Sequence, residues 1–199
     1  MKHRLDFSLL PNSSAFAARS ILSGLPKDLR SRLESLPQTL ERAESAAMFA
    51  GHSSGQGTEP WQAAAFLRAA LADYCAIQEV QAIDRPATQP FMITDTHNPL
   101  LHLLQLVRHL NIHVRTVATR PISVPTKIAE HQFDLHAFVV TNLAAADLAA
   151  LRNGQRYHLA DLQHSVAWFN TSQEHWGAGD LVFLGTKLLA EQTCLHHGL

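Results

Sequence analysis

The sequence predicts a mainly α-helical bundle carrying one short β-hairpin or extended insertion over 114–141. Three observations point there. Leucine and alanine recur at three- and four-residue spacing through most of the chain, as in Leu29, Leu33, Leu36 and Leu40. Between 114 and 141 the character changes to β-branched residues, two prolines and the alternating run FDLHAFVVT. Helical spacing then resumes to the C-terminus.

In order, Ala15–Leu22 and Lys27–Ala50 read as helix, with a break or kink expected at Pro37 because proline lacks the N–H a helix interior needs. The stretch 51–60, GHSSGQGTEP, reads as a loop from its three glycines and proline. Pro60 suits a first helical turn, and Trp61, Ala65, Leu71, Tyr74 and Ile77 carry an apolar face to about Ala82. Asn98 and Pro99 form a capping pair for a helix running from Leu100 to at least Leu110. Ala144–Leu151 and Leu159–His175 read as further helices, with a stop at Asn153–Gly154 between them. Gly177 and Gly179 precede a last helix near Asp180–Thr193, and the terminal His196 and His197 are expected to fray.

With 199 residues the chain fits one helical domain, 1–199, large enough to bury a core. Sixteen basic residues oppose seventeen acidic ones, which excludes tight nucleic-acid binding driven by bulk charge and leaves only a local basic patch. Cys75 and Cys194 lack metal-ligand spacing; with no signal-peptide pattern and no long apolar span, a cytoplasmic location and no membrane contact are expected.

The stretch NPLLHLLQLVRHLNIHV, 98–114, concentrates the chemistry. At about 100° per residue, His102, His109 and His113 share one stripe, so the wet face is expected to be rich in imidazole. A solvated polar face explains such a stripe without function. A metal site is a second reading, since His109 and His113 stand four residues apart and reach one zinc ion. The HExxH glutamate is absent, and a third ligand would come from His97 or His136. Phosphodiester cleavage is a third reading: a histidine moves protons near neutrality, and an arginine matches phosphate oxygens with a planar fork. Arg108 and His113 have those chemistries, yet a straight helix sets them about 140° apart. Convergence needs a helix end near Asn111, an Arg108 that reaches around, or two subunits.

Arg108-His109-Leu110-Asn111-Ile112-His113 resembles the R-x4-6-H motif of the HEPN superfamily, with a polar residue directly after the arginine. Arg152-Asn153-Gly154-Gln155-Arg156-Tyr157-His158 has the same pattern across an expected helix break. The resemblance covers 60–113 and the later helices; the 114–141 segment stands outside the usual four- or five-helix plan. It implies a small helical domain, often a metal-independent endoribonuclease of toxin–antitoxin, phage-defence or RNA-processing systems, and elsewhere a binding module without activity. It implies a homodimer whose two motifs line one cleft, RNA as substrate, a protein partner such as an antitoxin, no cofactor and no metal. Under it Arg108 and His113 are the catalytic pair, and His109, Asn111 and His102 position substrate. Asp73 and Glu79 on the preceding helix are candidates to orient an imidazole or pair with Arg108. Trp168, Phe169 and Trp176 are candidates to stack on bases, although such aromatics more often fill cores. A partner-binding helical protein without catalysis is the rival reading, and the balanced charge speaks for it.

Overall fold

A computed structural model describes residues 2–12, 35–54, 57–84, 88–114, 116–128 and 130–198. Its α-helices are α1 (Leu36–His52), α2 (Pro60–Glu79), α3 (Pro99–His113), α4 (Ala145–Ala150), α5 (Leu159–Trp176) and α6 (Ala178–His196). Between α3 and α4 lies an antiparallel hairpin of β1 (Thr119–Ile128) and β2 (His131–Val140). The mainly helical class with a small two-stranded sheet is therefore what the chain adopts.

The proline and asparagine signals act at helix starts. Pro37 sits in the first turn of α1, where its missing N–H costs nothing. The expected helix 15–22 and the start of 27–50 lie outside the described residues. Pro60 opens α2, where the Gln62 side chain accepts from Glu59 N–H at 2.8 Å. Asn98 Oδ1 accepts from Leu100 N–H at 3.0 Å to cap α3. α2 tightens into a 3-10 turn over Val80–Asp84, near the expected end at Ala82.

α3 is the central helix, packed against α2, α5 and α6, with α1 against the outer side of α2 and α6. Leu100, Leu101, Leu103, Leu104, Leu106 and Leu110 are all buried. Burying each removes roughly 1.5–3 kcal/mol of apolar surface cost. Two buried glutamines, Gln78 of α2 and Gln81 of the turn that follows it, pin the chain leading into α3. Gln81 Oε1 accepts from Phe91 N–H at 2.8 Å, and Gln78 Oε1 accepts from Ile93 N–H at 3.0 Å. His196 and His197 do not fray: His196 Nε2 bonds Gln89 O at 3.0 Å and His197 Nε2 bonds Gln81 Oε1 at 3.1 Å. The polar carbonyls and amides of the 80–90 segment give the terminal imidazoles partners that sequence neighbours do not.

The N-terminal segment is not helical over residues 2–12, apart from one 3-10 turn at Phe7–Leu9. It crosses the start of α3 as a strap. His3 N–H donates to Arg156 O at 2.7 Å, Asp6 N–H donates to His97 O at 2.9 Å, and the Phe7 ring stacks on His164 at 4.0 Å.

The hairpin is docked at its base. Gln173 of α5 donates from Nε2 to Val140 O and accepts at Oε1 from Val140 N–H, both at 2.8 Å. Gly177, at φ 86°, joins α5 to α6 where its missing Cβ lets Ala137 of β2 pack against the corner. Ala137 to Val140 are buried on both faces, while Ser123, Pro125, His131, Gln132, Asp134 and His136 of the distal half are exposed. Phe169 is fully buried, and Trp168 and Trp176 pack against the core, so these aromatics serve packing. No described helix is long and apolar enough to cross a membrane.

Candidate functional site

The exposed window of α3 is narrower than the wheel suggests and rotated from it. Gln105, Arg108 and His109 are half-buried and Ile112 is exposed, while His102 is 1% exposed. His102 is thus not on a wet face, a correction to the imidazole stripe. The cause is tertiary: the turn ahead of α5 brings Tyr157 over it, and the N-terminal strap adds His3, whose ring lies 5.5 Å from that of His102. His102 Nε2–H donates to Thr96 O at 2.8 Å, and Tyr157 O–H donates to Nδ1 at 2.7 Å. Both ring nitrogens are engaged inside the protein, which leaves none to position a substrate. Burial pushes its pKa down to about 4, and the neighbouring His3 and His97 push the same way against the pull of the Thr96 carbonyl.

Arg108 lies one turn from the C-terminal end of α3. Its Nε is buried and has no hydrogen-bond partner among the described residues. Its Nη1 stands 3.5 Å from His109 Nδ1, while Asn153 Nδ2 donates to His109 Nε2 at 3.0 Å. A neutral imidazole accepts at one nitrogen only, so the shorter Asn153 bond dominates and the Arg108 contact is weak. The guanidinium charge is felt by the buried Cys75 of α2, whose thiol burial pushes up to about 12 against the lowering pull of Arg108. Such a thiol is unreactive.

Asn111 is 5% exposed, three residues beyond Arg108. Its Oδ1 accepts from Val117 N–H at 3.3 Å, tying the end of α3 to the approach to β1, and its Nδ2 is buried without a partner among the described residues. α3 runs on through His113. The chain therefore has no helix end at Asn111 to turn His113 toward Arg108. The His113 side chain lies outside the described part of the structure.

The two acids sit elsewhere. Asp73 is taken by α1: it pairs with Arg42 at 2.8 Å and accepts from the Ser45 hydroxyl. It does not pair with Arg108, because α1 covers that face of α2. Glu79 is exposed at the last turn of α2, and its charge raises the Cys75 thiol. Among the metal candidates, His97 Nδ1–H donates to Arg4 O at 2.9 Å, and His136 is exposed on β2. Among the described residues, no three His, Cys, Asp or Glu side chains cluster as metal ligands.

The second arginine motif is a turn. Gly154 sits so close to the Leu148 carbonyl that a Cβ there would overlap it, and Arg152 and His158 are exposed on either side. What sequence reading missed is that the two motifs meet, His109 of the first bonding Asn153 of the second. Each contributes its residue directly after the arginine, which is the one signal that connected them. A small cavity lined by Leu67, Leu71, Leu104, Val107, Val117 and Val140 lies behind this region, and its apolar walls offer a phosphate nothing.

Compared with known proteins, the chain matches no family model, no curated protein and no solved structure.

Proposed function

We propose that the chain is a metal-independent endoribonuclease of HEPN type, working at a composite Arg/His site formed by two copies. The observation that carries this reading is a pair of buried donors, Arg108 Nε and Asn111 Nδ2, three residues apart at the end of α3 and without a hydrogen-bond partner among the described residues. Leaving a buried donor unmade costs about 1–3 kcal/mol, so two on neighbouring turns call for an account beyond packing. A phosphate, an acceptor at every oxygen, answers that need and pairs with the guanidinium fork.

In the proposed reaction the 2′-hydroxyl oxygen attacks its own 3′-phosphorus. His113 takes the hydroxyl proton, the O2′–P bond forms and the P–O5′ bond breaks. The leaving 5′-oxygen receives a proton from the second copy's motif, and Arg108 stabilises the charge on the phosphorane. The products are a 2′,3′-cyclic phosphate and a 5′-hydroxyl. His109, fixed by Asn153, lies beside Arg108 as a positioning group. Two copies are invoked because the α3 backbone stays helical to position 113, and five residues of straight helix turn through about 140°.

The test is cleavage of single-stranded RNA in EDTA. Wild type cleaves and leaves cyclic phosphate ends; His113→Ala, with an unchanged circular dichroism spectrum, loses at least a hundredfold in rate. No cleavage by wild type, or full cleavage by His113→Ala, overturns the proposal.

The second reading, a partner-binding helical protein without catalysis, is favoured by the internal use of His102 and Asn111. A tight protein complex without RNA cleavage would select it.

A further inference from the structure

The hairpin has two outer edges, and the sequence closes only one. Pairing runs from Thr119 opposite Val140 to Ile128 opposite His131. Thr141 N–H donates to Ala118 O at 3.0 Å, one step before that register begins. Alternation then turns the backbone groups of 119, 121, 123, 125 and 127 outward on β1, and those of 132, 134, 136, 138 and 140 outward on β2. Two further observations agree. Pro121 and Pro125, which have no N–H to give the ladder, occupy outward positions, and Val140 sends both its N–H and its C=O to Gln173.

The prolines strip two donors from the outer edge of β1, which is how natural sheets block pairing with another chain. β2 has no proline between His131 and Val140. Its outer edge is capped at Val140, where the Gln173 amide imitates a neighbouring strand. Further out, Gln132, Asp134 and His136 are exposed. Ten residues extend about 33 Å, and a two-stranded ribbon is marginal on its own.

We infer that the outer edge of β2 pairs antiparallel with β2 of a second copy, making a four-stranded sheet with β1 of each copy outermost. Two identical edges related by a twofold axis meet antiparallel, and each contact occurs twice. Charge selects the register. Centred on Leu135, the pairing sets Asp134 opposite the partner's His136, twice. A shift by one pair toward the turn sets Asp134 against the partner's Asp134 and opposes like charges. The chosen register also places Leu135, half-buried in one copy, beside the partner's Leu135. The proline-guarded edges of β1 end the sheet, so assembly closes at a dimer.

This dimer is argued from the hairpin alone, and its test reads mass and not RNA cleavage, so the two readings fail independently. Sedimentation and light scattering of the full chain from 1 to 100 μM are expected to give twice 22.0 kDa. His136→Pro removes an outward N–H while sparing the β1–β2 ladder; it is expected to weaken the dimer at least tenfold with an unchanged circular dichroism spectrum. Asp134→Lys is expected to weaken it about tenfold, and Asp134→Lys with His136→Asp to restore it, a rescue that misfolding does not produce. A monomer throughout this range, a dimer indifferent to these substitutions, or an edge that takes only an added extended peptide overturns the inference.

Discussion

The Tyr157 hydroxyl donates to His102 Nδ1 at 2.7 Å, joining the turn before α5 to the central helix inside the core. Nε2–H is given to Thr96 O, and burial disfavours the charged ring, which keeps the imidazole neutral. Its folded pKa of about 4 lies below the ordinary value near 6.5. The unfolded chain therefore binds more protons between those values, and stability falls as pH drops from 6.5 toward 4 and then levels off. This residue alone is expected to remove about 2 kcal/mol between pH 7 and pH 5. Urea denaturation at both pH values checks it: wild type should lose about that much more stability than His102→Gln, and equal losses would refute the assignment.

Gly154→Ala should destabilise the fold by about 3 kcal/mol, because the added Cβ overlaps the Leu148 carbonyl and the backbone must move. Since this turn carries Asn153 and Tyr157, His109 and His102 lose their partners with it. A thermal midpoint within about 1 °C of wild type would show that the turn yields freely.

Gln173→Leu keeps the volume and removes both bonds to Val140. Two lost bonds with their buried backbone partners left unpaired are expected to cost about 2–4 kcal/mol. Hydrogen exchange at the Val140 amide should accelerate more than exchange in α2, reporting release of the hairpin base.

Arg108→Leu separates stability from function. Removing a buried Nε without a partner among the described residues should leave stability within about 0.5 kcal/mol of wild type, or raise it. Under the proposed reaction, RNA cleavage should fall at least a hundredfold in the same variant. A large loss of stability would show instead that Arg108 is held for packing.

Asp73→Asn tests the orienting role considered for this acid. Its pairing with Arg42 and Ser45 predicts a stability loss of about 0.5–1 kcal/mol and RNA cleavage within twofold of wild type. A tenfold loss of cleavage would return Asp73 to the site.

The local signals were legible because they act over a few residues. Asn98 and Pro99 start α3, Pro60 starts α2, and Gly177 separates α5 from α6, each where its backbone chemistry requires. Pro37 likewise falls in the first turn of α1, and the residues before Ser35 lie outside the described ones. The wheel for α3 missed His102 because periodicity reports polarity, and a polar side chain is buried without penalty once distant partners satisfy it. Arg42, which claims Asp73, and Asn153, which holds His109, lie 31 and 44 residues from those side chains. No pattern of neighbours encodes such pairs.

By itself, then, the sequence determined the helical class, the capped start of α3 and the change to strand after it. Backbone propensity, capping and hydrophobic period are local and survive being read one segment at a time. Tertiary structure alone decided which of the polar groups on α3 are spent inside the protein. It buried His102 under Tyr157, tied Asn111 to Val117 and left Arg108 Nε without a partner among the described residues, because burial is set by elements that meet only after the chain has folded.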